Sequence, residues 1–276
     1  MSFAIIQCGS TARGDANANS DVDIICIWSG KAPDFSRLTH EYGELTFYSV
    51  ETIQRMRAKG SLFLTHLDVD GVFIDGDQSL LEEFRGFRPS TRQVNSLYKD
   101  TARVVTCLEW FPDNTPGELW LCDVLYVALR TCLYCKNAAA GIYTFGYLDA
   151  LKACSLTSNQ IAVMLLLREG KYRYRNSTDS LAATKFYFDS SEAKQACYAV
   201  LSKDVNVVRG GETDWTKLSR RDYWSERLVE RAILNKEHRD EEFMLKIKHH
   251  NYNKSSLKSD ISRIVEMHTS TRLSLP

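Results

Sequence analysis

The feature that most constrains this chain is a pair of short apolar runs that bracket a segment of small and polar residues. The first run, residues 3–8, ends at Gly9 and Ser10, and the second, residues 22–28, is entered through Asp21 and Asp23. Apolar, β-branched runs of this length, bounded by turn residues, predict strands. The sequence therefore predicts one strand that ends in Gly-Ser and a following strand that opens with Asp-x-Asp.

The residues at these strand ends are suited to binding metal and phosphate. Residues i and i+2 of a strand share a face, so Asp21 and Asp23 present two carboxylates to one point. Paired carboxylates are hard oxygen ligands, which suit Mg²⁺ bound together with the phosphates of a substrate. Gly9 lets the backbone approach a phosphate closely, Ser10 and the amides after it can donate to it, and Arg13 can add a bidentate contact.

Composition excludes several classes of protein. The chain has 276 residues, 44% hydrophobic and 25% charged, which are ordinary values for a globular protein with a real core. It contains no run of about 18 apolar residues, so no membrane-spanning helix is expected. The first residues lack the basic segment of a signal peptide, so we expect a cytoplasmic protein. The eight cysteines, Cys132 and Cys135 included, are expected to be buried free thiols rather than zinc ligands.

The net charge of zero averages over two unlike parts of the chain. Residues 1–90 carry 8 basic and 13 acidic side chains, a net charge of −5, whereas residues 91–276 carry 27 and 22, a net charge of +5. Such a division suits an acidic, cation-binding part followed by a part that tolerates an anionic partner.

The hydrophobic pattern also changes near residue 90. Short strands and helices alternate before that point, and helical spacing dominates after it, so we expect an α+β protein with a C-terminal helical bundle. The predicted strands are residues 3–8, 22–28, 45–50 and 72–74, and the predicted helices are 51–58, 61–67, 94–111, 118–139, 159–168, 191–201 and 219–238. These patterns divide the chain into a first domain at 1–90, a helical domain at 91–240, and a last helix or tail at 241–276.

The motif Gly-Ser-Thr-Ala-Arg-Gly, followed by Ser-Asp-Val-Asp, resembles that of the DNA polymerase β-like nucleotidyltransferase superfamily. Within that superfamily, the tight spacing is similar to that of the minimal and kanamycin nucleotidyltransferase-like enzymes. The resemblance covers residues 3–87. It implies a catalytic domain at 1–90, a helical substrate- or partner-binding domain behind it, and Mg²⁺-dependent transfer of a nucleoside monophosphate from an NTP such as ATP to an acceptor hydroxyl, with release of pyrophosphate.

The resemblance also assigns roles to single residues. It implies that the metal is held by Asp21 and Asp23 and the nucleotide by four residues. Those four are Gly9, Ser10, Arg13 and Ser20. The superfamily adds a third carboxylate on a later strand, which helps to hold a second Mg²⁺, or Mn²⁺ in its place, or accepts the proton of the acceptor. Glu44 is the candidate for this position, and Glu41 is its rival.

The acceptor stays open at this stage. An RNA 3′ end, a hydroxyl of a partner protein and a small molecule all fit the resemblance, and a role in toxin–antitoxin or defence systems fits as well. One alternative is a non-catalytic, antitoxin-like module that binds a nucleotide or a partner. Another is a ribonuclease of the HEPN type, whose loose Arg-x₄₋₆-His spacing is matched by Arg231 and His238.

Two weaker signals remain. Residues 168–176 interleave four cations with two tyrosines, which is typical of a nucleic-acid surface but also of a helix C-terminus followed by a solvated strand. His66 lies in an apolar run, and we expect it to be a hydrogen-bonded core or edge histidine rather than a ligand.

Overall fold

The structure is a computed structural model, and it describes residues 2–17, 22–176, 186–218, 223–248 and 254–270. Ser20 and Asp21 lie outside the described residues, so their predicted roles have no structural counterpart here. The described chain divides into two units. The first comprises residues 1–101 and 130–157, and the second comprises residues 102–129 and 158–276.

The four strands that the sequence predicts in the first unit are present, and they form one sheet. Its strands are β1 (Ser2–Cys8), β2 (Asp23–Ser29), β3 (Leu45–Ser49) and β4 (Val72–Gly76). They lie in the order β3-β2-β1-β4, with β2 parallel to β3 and β1 antiparallel to both of its neighbours. Two strands that are buried at the centre of a sheet require the continuous apolar runs seen in β1 and β2.

Short helices connect these strands and cover both faces of the sheet. They are α1 (Gly9–Arg13), α2 (Phe35–Tyr42), α3 (Val50–Ala58), α4 (Leu62–Asp70) and a 3-10 helix over Gln78–Glu83. The sequence did not predict α2, which begins where the carboxylate of Asp34 accepts a hydrogen bond from the backbone N–H of Arg37. Its Leu38 packs with Ile5 and Cys26 on one face of the sheet, because successive strand residues point to opposite sides.

The opposite face of the sheet packs against α3 and α4. Ile6 and Ile25 of the central strands pack in one cluster with Ile53 of α3 and with Phe84, and α4 contributes Leu64 and Leu67 to it. Cys8, the last residue of β1, is buried in the same cluster. The end of β1 and the end of α4 therefore lie on one side of the sheet, which positions the site described below.

The rest of the chain is mostly helical. The helices are α5 (Thr91–Thr106), α6 (Thr115–Ala139), α7 (Tyr147–Ala153), α8 (Ser158–Asn176), α9 (Ser190–Leu201), α10 (Tyr223–Leu234), α11 (Glu241–Lys248) and α12 (Lys254–Ser270). Most of the predicted helices are present with shifted ends, and the expected C-terminal helix is a pair, α11 and α12. Among the residues that the structure describes, no helix is both long and apolar enough to cross a membrane.

The helix predicted over residues 94–111 is shorter than expected. It ends at Thr106, and Trp110–Phe111 instead forms a two-residue strand, β5, parallel to β6 (Val208–Arg209). The apolar spacing runs on through Phe111, but pairing with a segment almost a hundred residues later overrides it. At this point of the chain a non-local contact prevails over a local pattern.

The end of α6 belongs to the first unit because it shares a core with the sheet domain. Cys135 of α6 and Phe145 pack with Leu62 of α4 and Val94 of α5. This core explains why the first unit takes residues from beyond the predicted boundary at residue 90. The segments 1–90, 91–240 and 241–276 were assigned to functions, and that assignment stays a prediction.

The second unit encloses a cluster of buried charges, which we name the interior cluster: Asp123, Tyr174, Arg175, Arg227 and Glu230. Asp123 accepts from Nη2 of Arg175 at 2.7 Å and from Nη2 of Arg227 at 2.6 Å. Nη1 of Arg227 lies 2.8 Å from Glu230, whose carboxylate also accepts from the Tyr174 hydroxyl. Two guanidinium groups therefore balance two carboxylates, as burial of charge requires.

Candidate functional site at the end of strands β1 and β2

The site lies where β1 ends and β2 begins. Cys8 pairs with Asp23 in the last step of the antiparallel ladder, so Gly9 follows directly beside Asp23. Gly9 has φ +76°, and a Cβ on it would lie 2.4 Å from Oδ2 of Asp23. Only glycine accommodates both this conformation and this close approach. The structure thus brings together two of the residues that the sequence singled out, Gly9 and Asp23.

Ser10 lies in the first turn of α1, directly after Gly9. Its carbonyl accepts from the backbone N–H of Asp15 at 3.0 Å, which closes the turn beyond α1. Ser10 and Arg13 are three residues apart on α1, and residues at this spacing lie on the same side of a helix. Ser10 and Arg13, both predicted to bind phosphate, therefore lie side by side.

Glu44 lies immediately before β3 and is exposed. The parallel register pairs Ile24 of β2 with Leu45 of β3, so Asp23 and Glu44 are the next positions outward on the two strands. Asp23 is also exposed at the start of β2. Glu41, the rival of Glu44 for the position of the third carboxylate, lies on α2 and pairs with Arg37 at 3.9 Å. Register thus favours Glu44 over Glu41 as the neighbour of Asp23.

Arg13 is surrounded by a second group of polar residues, which we name the site cluster: Arg13, Asp15, His66 and Asp70. Nη1 of Arg13 donates to Oδ2 of Asp70 at 2.9 Å, and its Nε lies 3.2 Å from Oδ1 of Asp15. Nε2 of His66 lies 3.2 Å from both Nη1 of Arg13 and Oδ2 of Asp70. In this structure the guanidinium predicted to bind phosphate is held by two carboxylates.

The site cluster and Asp23 border the same buried thiol. Burial raises the pKa of Cys8 to about 12, and the negative charges of Asp23 and Asp70 add to this effect while Arg13 opposes it. The Cys8 side chain is therefore a neutral thiol at physiological pH and not a nucleophile. Cys8 pairs with Asp23 in the ladder and lies in the same buried cluster as Leu67 of α4, the helix that carries His66 and Asp70, so the site cluster adjoins the end of β2.

Burial and hydrogen bonding act in opposite directions on Asp70. Burial alone raises the pKa of Asp70, but hydrogen bonds from His66 and Arg13 outweigh it, so the pKa lies below its usual value. Asp70 is thus ionised at neutral pH, and it is a residue that sequence analysis missed. The His66–Asp70 spacing of four residues on one helix was a visible signal, whereas the contact with Arg13 was not.

A loop from beyond the sheet covers His66. The ring of Phe145 lies 4.7 Å from the ring of His66, and the Phe145 carbonyl accepts from the Tyr134 hydroxyl at 2.7 Å. Next to it, a Cβ on Gly146 would lie 3.4 Å from Oδ2 of Asp15. His66 is hydrogen-bonded and half-buried, as the sequence predicted, and its position beside Arg13 is the new information.

The described residues contain no group of three or more His, Cys, Asp or Glu side chains arranged to hold a metal ion. Asp21 lies outside the described residues. The oxygen donors that the structure does place here are those of Asp23, with Glu44 in register beside it. Carboxylate oxygens suit Mg²⁺ or Mn²⁺, so the chemistry of these donors fits the predicted metal.

The weaker signals lie in the second unit. Residues 168–176 are helical throughout, as part of α8, and Arg175 is bound to Asp123 there. Arg231 is buried with its guanidinium 3.9 Å from the ring centre of Trp110, and His238 bonds to His268 at 3.2 Å. Packing of this kind gives Arg231 a structural task within the helices.

Comparison with known proteins supports the N-terminal motif. Residues 3–65 match the family model of the nucleotidyltransferase domain. No curated protein and no solved structure matches the chain. The matched residues contain β1, β2, β3 and part of α4, and with them Gly9 and Asp23. This match agrees with the resemblance of the N-terminal motif to the polymerase β-like nucleotidyltransferase superfamily.

Proposed function

We propose that this protein transfers a nucleoside monophosphate from an NTP to an acceptor hydroxyl and releases pyrophosphate. The observation that carries the proposal is the close approach of Gly9 to the Asp23 carboxylate, at the strand ends of a nucleotidyltransferase domain. A Cβ on Gly9 would lie only 2.4 Å from that carboxylate. An exposed carboxylate next to a backbone segment without a side chain suits the joint binding of a cation and a phosphate.

The proposed metal ligands are Asp21 and Asp23, with Glu44 beside them as the third carboxylate. Bound there, Mg²⁺ or Mn²⁺, as one ion or a pair, would neutralise charge on the triphosphate and on the leaving pyrophosphate. Asp23 and Glu44 contribute by fixing oxygen donors at adjacent strand ends, so that little reorganisation is needed during the reaction. Glu44 also accepts the proton of the acceptor hydroxyl.

The nucleotide is held by residues of the chain around α1. The bare backbone at Gly9 admits a phosphate, the Ser10 hydroxyl donates to it, and Arg13 supplies positive charge. Ser20, just before the paired aspartates, completes the proposed nucleotide contacts. These groups orient the α-phosphate for in-line attack, which is the larger part of catalysis in phosphoryl-type transfer.

The acceptor belongs to the same proposal. The net charge of +5 on residues 91–276 favours an anionic acceptor such as RNA over a neutral one, while a partner protein and a small molecule stay as alternatives. A cytoplasmic location for the reaction is part of the same proposal.

Transfer of label tests the proposal. Purified protein is incubated with Mg²⁺ and each α-labelled NTP and is offered RNA, lysate proteins and aminoglycosides in separate reactions. We expect label in one pool, a loss of about 100-fold or more in Asp23→Asn, and a smaller loss in Glu44→Gln.

The matched control is Asp100→Asn, which removes an exposed carboxylate from α5 and should leave transfer unchanged. No transfer to any pool, with wild type and Asp23→Asn alike, contradicts the enzyme. Nucleotide binding without transfer would instead indicate the antitoxin-like module. RNA cleavage that is lost in His238→Ala and kept in Asp23→Asn would indicate the ribonuclease.

A further inference from the structure

We propose that Asp70 is a positioning residue that anchors Arg13 at the nucleotide site, and that Asp15 is the carboxylate that the triphosphate displaces from Arg13. This inference rests on the proposed nucleotidyl transfer and assigns opposite tasks to the two carboxylates that hold one guanidinium. Neither task follows from the motif, because Asp70 lies far from it in sequence and Asp15 lies between its two halves.

Asp70 is the stronger and more buried partner. Its side chain is only 10% exposed, and it accepts a 2.9 Å hydrogen bond from Nη1 of Arg13. His66 contacts the same pair of atoms and is itself packed against Phe145. A carboxylate in these surroundings is costly to leave unpaired, so Arg13 keeps this contact when a ligand arrives.

Asp15 is the weaker and more exposed partner. Its side chain is 48% exposed, it follows Gly14 outside α1, and its contact with Nε of Arg13 is an ion pair at 3.2 Å. Exposed pairs of this kind contribute little stability. The oxygens of a triphosphate carry more charge than one carboxylate and form stronger hydrogen bonds with guanidinium, so they can take the place of Asp15.

The charge of the cluster makes such an exchange necessary. Two carboxylates surround one guanidinium, so the cluster is negative in the ligand-free protein when His66 is neutral. A triphosphate is repelled while both carboxylates stay close to Arg13. When the contact between Asp15 and Arg13 breaks, this repulsion is reduced. If the contact between Asp70 and Arg13 broke instead, Arg13 would no longer be held on the side of the site where Cys8 and Asp23 lie.

The test compares two substitutions that change charge identically. Asp15→Asn and Asp70→Asn each remove one negative charge near an anionic ligand, so simple electrostatics predicts tighter binding for both. We expect Asp15→Asn to bind about threefold tighter, because a competing exposed pair is gone. We expect Asp70→Asn to bind about tenfold more weakly, because Arg13 loses its anchor.

Binding is measured by calorimetry with ATP, GTP, CTP and UTP, each with Mg²⁺ and without an acceptor. The control is Asp68→Asn, which removes a carboxylate of α4 that pairs with Arg88 at 2.5 Å and should leave affinity unchanged. In an Arg13→Gln background, Asp70→Asn should cause no further weakening, which a merely structural role of Asp70 would not predict.

Three results overturn parts of this picture. Tighter binding by both Asp15→Asn and Asp70→Asn shows that Asp70 is only a second repelling charge. Equal weakening by Asp70→Asn with and without Arg13 shows that Asp70 acts on the fold. If the wild-type protein binds none of the four nucleotides, the proposed function itself fails, which is a distinct outcome from the first two.

Discussion

The site cluster and the interior cluster are built from the same kinds of side chain and differ in balance and exposure. The interior cluster pairs two guanidinium groups with two carboxylates, and Asp123, Arg227 and Glu230 are almost completely buried. The site cluster surrounds one guanidinium with two carboxylates, and Asp15 is half-exposed. A balanced, closed cluster holds helices together, whereas the unbalanced, open one includes an exposed carboxylate, Asp15, that an anionic ligand can replace at Arg13.

The largest effect is expected in the interior cluster. Arg227→Met removes the guanidinium shared by Asp123 and Glu230, which leaves Asp123 with Arg175 alone and Glu230 without a cationic partner in the interior cluster. Breaking a buried pair in this way costs about 3–5 kcal/mol of the free energy of unfolding. Urea denaturation followed by circular dichroism measures the loss. Arg37→Met, on the exposed face of α2, is the control and should cost less than ~0.5 kcal/mol. A loss as small as that of the control would mean that the interior cluster does not stabilise the fold more than exposed charges do, and the contrast between the two clusters would fail.

The next effect separates activity from stability at the open site. Gly9→Ala places a Cβ 2.4 Å from Oδ2 of Asp23, so the carboxylate must move. We expect a loss of nucleotidyl transfer of about 100-fold, because displacing Asp23, the proposed metal ligand, would cost several kcal/mol of transition-state stabilisation. Label transfer and thermal melting are measured together.

The control for this prediction is Gly30→Ala. Gly30 has φ +75°, almost the same as Gly9, but a Cβ there meets no atom within 4 Å. Both variants carry the backbone strain of about 1 kcal/mol, and only Gly9→Ala should lose activity. Equal losses of activity would mean that the strain, and not the approach to Asp23, is responsible.

A smaller effect is expected for the stability of the site cluster. Asp70→Asn should cost about 1 kcal/mol at pH 7, less than Arg227→Met, because Arg13 keeps Asp15 and solvent as partners. The pKa of Asp70 is lowered in the folded protein, so its contribution is present above the usual pKa of about 4 and is lost as the pH falls through the lower folded value. Urea denaturation of both proteins from pH 7 to pH 3 should therefore show their difference shrinking in acid. A difference that grows in acid contradicts this assignment.

The smallest effect concerns the histidines. Burial and the neighbouring His268 lower the pKa of His238, which Asp240 raises and Arg263 lowers further. The unfolded chain then takes up a proton before the folded protein does, so the free energy of unfolding should fall as the pH drops below about 6.5. His238→Asn should flatten this decline, and His40→Asn, at an exposed position of α2, should not. Urea denaturation between pH 7.5 and pH 5 measures both.

The central strands and the Gly9–Asp23 approach were predictable because their causes are local. Continuous β-branched runs form buried strands, and strands linked by a tight connection bring the residues at their joined ends together. The position of Glu44 beside Asp23 was not predictable in the same way. It depends on the parallel pairing of β2 with β3, which the sequence did not reveal.

The parts that sequence missed depend on distant contacts. Asp70 and Arg13 are 57 residues apart in the sequence, and Phe145, which contacts His66, follows the end of α6. The early end of α5 depends on the pairing of Trp110 with Val208. The short helix α2 had a local signal in Asp34, but its eight residues span only about two turns, which is too short a window for apolar spacing to establish a helix.

The discontinuous make-up of the first unit limits how this domain can be inherited or transplanted. A gene fragment that ends near residue 90 encodes the whole four-stranded sheet but neither Tyr134 nor Phe145, and so leaves His66 without its cover. Recombination at a single point cannot transfer the domain intact. The segment 130–157 has to travel with it, so exchange of a whole C-terminal half would break up the first unit, whereas changes within residues 102–129 and 158–276 leave its sequence intact.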